Sequence, residues 1–295
     1  MFTKWVDIKR ILISIIITAI AGATAFFYCH TFGIGYVAFQ NDLWTWMTFL
    51  CFTAAVYFVS ILFAKLHLSL MAKLISMFFY FFLLIWSAQG LIHAIFLTEL
   101  AGSEALFVPL LLAVVLSILI TLLLPDSGRE NTPVLESFKA YFESRTTLQW
   151  VMRIVTATVL LFTTYFLLNY LMFPFIEPYY SMSSSAFILS ENSFMISSAG
   201  MFVHALLMLI VFLPLFALWK GSKSSLLFWL GFPLFLLIAM QSFVLYSEWP
   251  LGFRFPLFVH LTLTMYIQAI ILVQLFYKPK GEEIEDQLLP AIWSW

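Results

Sequence analysis

Charge is what this sequence has least of: Asp, Glu, Lys and Arg make up 10% of its 295 residues, against about a quarter in an ordinary soluble domain. So few charges cannot cover a water-facing surface. With 63% hydrophobic residues and a mean hydropathy of +1.01, the chain reads as a polytopic integral membrane protein whose first partner is the lipid bilayer. Its basic residues form no cluster interleaved with aromatics, which argues against nucleic acid as a partner. Cysteine is nearly absent. Cys29 and Cys51 make no CxxC and lie in apolar runs, so no disulfide framework or zinc finger is expected and both read as small buried hydrophobes. No HExxH, GxSxG or P-loop pattern occurs. GIGYVA at 33–38 fits GxGxxA, but it follows an apolar helix and not a strand, which fails the dinucleotide context. No acid stands at the middle of an apolar run, where ion-coupled carriers and proton pumps place one.

What the chain does have is length of apolar run. A spanning helix needs about 20 mostly apolar residues, and eight runs qualify: 11–32, 44–64, 73–98, 105–124, 151–174, 195–219, 225–246 and 255–277. Backbone polar groups force each to be helical, so the fold class is all-α with eight transmembrane helices. The first run follows Lys4, Lys9 and Arg10 as the core of a leader peptide would, and is read as a retained span. Thirteen of the fourteen Lys and Arg residues fall in 1–10, 65–73, 125–153, 220–224 and 278–281. The alternate loops hold one base, Arg254, with Asp42, Glu99, Glu104, Glu177, Glu191 and Glu248. By the positive-inside rule both termini are cytoplasmic, and the expected location is a bacterial-type inner (cell) membrane.

The polar segment 125–150 separates two four-helix sets, 1–124 and 151–277, and an acidic tail occupies 278–295. Within the linker, Val134, Leu135, Phe138, Tyr141 and Phe142 take one helical face while Glu136, Lys139, Glu143 and Arg145 take the other. This spacing predicts an interfacial amphipathic helix opened by Thr132 and Pro133. Residues 133–145 and the tail are the candidate contacts for a protein partner.

Four of the five histidines, His30, His93, His204 and His260, fall in the half of the layer away from the basic loops. Two of them repeat the letters FVH, at 202–204 and 258–260, each just inside an apolar run. Ionisable groups in a span are costly and mark candidate sites. Neutral imidazole ligates transition metals and haem iron, which makes these four the candidate cofactor ligands, and His93, His204 and His260 with Glu99 the candidate metal set. The bland alternative for each is a hydrogen bond to a carbonyl on a neighbouring helix. Arg254 with Glu248 is the candidate substrate or headgroup pair.

Four histidines spread over eight helices resemble the layout of the haem A synthases, and eight spans with outer histidines resemble the copper-resistance permeases. The resemblance is one of layout alone. The cysteine pair of many haem A synthases is missing from the first outer loop. It implies histidine ligation of haem or copper. The leading expectation is an outward-facing histidine and carboxylate cavity binding a metal, haem or quinone, in a redox subunit or a metal-handling protein. The alternatives are a non-catalytic membrane subunit or assembly factor, and a permease for a small or lipidic solute, motivated by Pro214 and Pro233 within spans. No residue is assigned a catalytic role, and whether the chain is an enzyme stays open.

Overall fold

Hydrocarbon offers a backbone amide no partner, so a chain this apolar has to satisfy its amides within helices. The computed structural model describes residues 8–32, 43–96, 104–124, 133–180, 193–245 and 250–278, and among these there are helices and no strand. For 86–96, 104–106, 180, 193–201, 204 and 245 the description is of the backbone alone. The elements are α1 (Ile8–Phe32), α2 (Leu43–Ala64), α3 (Leu70–Phe96), α4 (Glu104–Leu123), α5 (Val134–Glu143), α6 (Thr147–Tyr180), α7 (Ser193–Leu218), α8 (Lys223–Leu234), α9 (Gln241–Leu245) and α10 (Leu251–Phe276). A π-helical turn, Phe235–Met240, joins α8 to α9.

Among the described residues, five segments are long and apolar enough to cross a membrane: Ile8–Phe32, Leu43–Ala64, Thr147–Tyr179, Lys223–Val244 and Leu251–Phe276. The fully described parts of α3, α4 and α7 add the apolar stretches Leu70–Ile85, Phe107–Leu123 and Ala205–Leu218. The chain is a multi-span helical protein of membrane type. Hydroxyls inside the helices are satisfied locally, Thr18 donating to Ser14 O at 2.9 Å, Thr158 to Ile154 O at 2.8 Å and Thr264 to His260 O at 2.8 Å. Large apolar side chains stay exposed in stripes, such as Leu12, Ile16 and Ile20 on α1 and Val155, Val159 and Leu167 on α6. In water such stripes would drive aggregation; in a bilayer they are the lipid face.

Inside, α10 packs against α6 on one side and against α8, the π turn and α9 on the other. The first four helices are not sealed off from the rest, for α2 packs on α8 and α9 and α3 packs on α7.

One end of the bundle gathers cations and spends them on helix termini, whose last carbonyls lack intrahelical partners. Lys73, 2% exposed, donates its ammonium to Leu124 O at 2.9 Å beyond the end of α4. Tyr141 on α5 donates to Phe276 O at 2.6 Å, Arg145 donates to Phe276 O and Tyr277 O at 3.5 and 3.4 Å, and Arg153 donates to Leu275 O. The last turn of α10 is thereby held from α5 and the start of α6. Arg10 reaches Ser60 Oγ at 3.1 Å, and Lys65 lies over the Trp229 ring 5.3 Å from its centroid.

Several expectations for the linker change. Arg145 is buried and does not take the solvent face: its guanidinium stacks 5.3 Å from the Tyr141 ring and 5.1 Å from Trp150 while it binds the α10 carbonyls. Pro133 caps α5 instead of opening it as the first helical residue, and Thr132 lies outside the described residues. Trp150 and Trp219 are buried, donating to Phe142 O at 2.9 Å and Ser222 O at 3.3 Å.

Candidate functional site

The two polar residues that stand out in the sequence of α10 lie on different faces of it. Arg254 and His260 are six positions apart, which at about 3.6 residues per turn turns them roughly 120° from each other. Because helices pack on α10 from both sides, both residues are buried, His260 to 2% exposure and Arg254 to 5%.

His260 faces α6. Its ring meets Tyr165 edge-on, with centroids 4.8 Å apart, and the Tyr165 main chain hydrogen-bonds the imidazole. Nε2 has no hydrogen-bond partner among the described residues. One ring nitrogen is thus fixed by a backbone group while the other is bare in an apolar interior. Thr264 and Gln268 follow at intervals of four, on the same stripe and equally buried. The Thr264 hydroxyl is spent on His260 O, but Gln268 Oε1 has no partner among the described residues. Unpaired polar atoms in a helix bundle are expensive, and two on one stripe single it out.

Arg254 faces α2 and α9. Its Nη1 donates to Phe243 O at 3.0 Å, and its guanidinium lies 4.4 Å from the Trp44 ring centroid and 5.2 Å from that of Phe243. Nε has no partner among the described residues. From this cation a column of rings descends: Trp44 meets Phe243 at 6.2 Å, Phe243 meets Phe258 at 5.2 Å, and Phe258 meets Phe235 at 6.0 Å. Phe235 meets Phe232 at 6.0 Å, Phe232 meets Phe58 at 4.7 Å, and Phe58 meets Trp229, which carries Lys65. The column runs the length of the α2–α8–α9–α10 packing with a cation over the terminal ring at each end.

The π turn lies beside the column because Pro233, lacking an N–H, interrupts the helical ladder just before Phe235. The Leu236 carbonyl accepts from the Gln241 N–H in the π register and also from Cys51 Sγ at 3.4 Å. Cys29 and Cys51 are both buried, and neither is in a disulfide among the described residues.

His30 is exposed on α1 and stacks on Phe26, with centroids 6.1 Å apart, while α1 packs chiefly on α2 and α4. His93 lies in α3 and His204 in α7, where the description reaches the backbone only. Glu99 and Glu248 lie outside the described residues. No group of three or more His, Cys, Asp or Glu able to hold a metal occurs among the described residues. Tyr165, Trp44 and Phe243 carry no mark of their role in the sequence, because partners on other helices leave no periodic signal.

No family model matches the chain. No curated protein and no solved structure shows significant similarity to it.

Proposed function

We propose that the protein is an eight-span membrane protein of the cell membrane, with both termini cytoplasmic and a histidine site in the outer half that ligates haem or a transition metal. The observation that carries this reading is His260: the Tyr165 main chain orients the ring while Nε2 stays bare. Ligating histidines are held in this way, their second nitrogen fixed by a backbone carbonyl or carboxylate.

Helix register supports a shared level for His93, His204 and His260. Phe216 on α7 and Phe276 on α10 meet at 5.9 Å, and Tyr80 on α3 meets Phe212 on α7 at 6.2 Å. Counting from these contacts at about 1.5 Å per residue puts the three backbones within roughly 8 Å of one level. The cationic end lies opposite, as the positive-inside rule requires of a cytoplasmic face. On this reading α1–α4 and α6–α10 form the two four-helix sets, with α5 as the linker helix between them. Glu99 would join the metal shell.

The bound group supplies electron transfer or Lewis acidity. His260 holds it, Tyr165 fixes the tautomer that leaves Nε2 as the donor, and the surrounding apolar side chains exclude water. The test is ligand content: His260→Ala and His204→Ala should empty the purified protein while His30→Ala stays loaded. Equal content in all three sinks the reading. A second reading, a membrane subunit, is favoured by the exposed Leu135 and half-exposed Phe142 on α5. It predicts a stoichiometric partner in mild detergent, lost on Leu135→Glu.

A further inference from the structure

We propose that the furrow along the aromatic column binds one anionic lipid, its phosphate or carboxylate on Arg254 and its tail on the rings of Phe243, Phe258 and Phe235. This site is on the other side of α10 from His260, and it stands whether or not that histidine carries a ligand.

Charge is the first ground. Arg254 is buried in the first turn of α10, the end where the helix dipole is positive and a cation is least welcome. Its visible partners are the Phe243 carbonyl and two ring faces, none of which carries a full negative charge. No carboxylate pairs with it among the described residues, and Nε remains bare. A buried guanidinium next to a helix N-terminus attracts an anion, and its fork geometry suits phosphate and carboxylate.

Shape is the second. Phe243 on α9, Phe235 in the π turn and Phe232 on α8, with Phe58 on α2 and Phe258 on α10, are all half-buried, so the column is reachable from the lipid and is not a sealed core. Its rings run from Arg254 toward the opposite end of the bundle, as an acyl or isoprenoid chain would lie along the bilayer normal. Gly231, whose absent side chain would meet the Tyr266 ring at 3.1 Å, lets α8 and α10 close behind it. Among the described residues nothing anionic meets Arg254, so an uncharged lipid would leave it without a counter-charge there, and a free anion would leave the ring column unused.

The test is lipid retention, read by native mass spectrometry of the full chain after exchange from detergent containing phosphatidylglycerol, phosphatidylcholine or oleate. Wild type should hold one phosphatidylglycerol about tenfold better than phosphatidylcholine, the scale of a charge-assisted hydrogen bond. Glycerol phosphate and inorganic phosphate should not displace it. Retained oleate at the same level makes the headgroup requirement carboxylate or phosphate alike; rejected oleate restricts it to phosphate. Arg254→Gln should lower phosphatidylglycerol to the phosphatidylcholine level, and Phe235→Ala with Phe258→Ala should weaken retention while Arg254 is intact. Equal retention of the two phospholipids by wild type overturns the proposal even if the Arg254 variant does not fold. Displacement by inorganic phosphate at lipid-like concentration overturns it as well.

Discussion

The hydroxyl of Tyr141 donates to the carbonyl of Phe276 at 2.6 Å, tying α5 to the last turn of the helix that carries His260 and Arg254. Tyr141 and Phe276 are 135 positions apart in the chain. Burial pushes the Tyr141 phenol up to about 12, with Arg145 and Arg153 pulling it the other way. A folded-state value above the ordinary 10 means that the bond contributes fully below pH 10, and that this contribution is lost as the pH rises toward 12. Thermal unfolding in detergent should therefore fall between those limits, and Tyr141→Phe should flatten that fall while costing about 1–2 kcal/mol at neutral pH. A variant with an unchanged alkaline limb would show that another group titrates there.

Lys73 tests the use of buried cations on helix ends. Replacing it with Met keeps the stem and removes the donor to Leu124 O, so the carbonyl is left bare in a buried place. The expected loss is about 1–3 kcal/mol in detergent unfolding. A neutral result would mean that water replaces the ammonium there.

His67 alone among the described non-glycine residues has a positive φ, 51°, at the turn between α2 and α3. Two variants that both lack the imidazole isolate the backbone effect. His67→Gly should be about 1 kcal/mol more stable than His67→Ala, because only the second has a Cβ in the left-handed region. Equal stability would show that the turn relaxes.

The two thiols should be silent in the folded protein. Cys29 is buried in α1, and Cys51 is buried with its Sγ on Leu236 O, so a maleimide should label neither before denaturation and both after it. Fast labelling of Cys51 in the native state would show that the α2 contact with the π turn opens.

Hydropathy located helices with good boundaries where one run matches one helix: 11–32 against Ile8–Phe32, 44–64 against Leu43–Ala64, 105–124 against Glu104–Leu123. It failed where chemistry depends on a neighbour. Pro174 marked the end of a run, yet α6 continues through Pro174 and Pro178 to Tyr180. Pro233 stood out as a proline within a span, but the π turn just beyond it, whose Leu236 carbonyl has a partner on another helix, did not. Arg145 looked like a solvated charge because nothing nearby in sequence announces the α10 carbonyls. Of the candidate site, the burial of His260 in an apolar run was legible, but the Tyr165 contact that orients it was not. Arg254 stood out as the one base among outer acids, while the ring column below it is assembled from separated positions on several helices.

The measurement that bears most directly on ligation by His260 is the absorption spectrum of the purified wild-type protein, air-oxidised and then dithionite-reduced, with elemental analysis of the same sample. The expected result is a Soret band that shifts on reduction, or one equivalent of a transition metal per chain. A colourless, metal-free protein from cells supplied with both would contradict it, leaving His260 as a packed histidine bonded to the Tyr165 main chain.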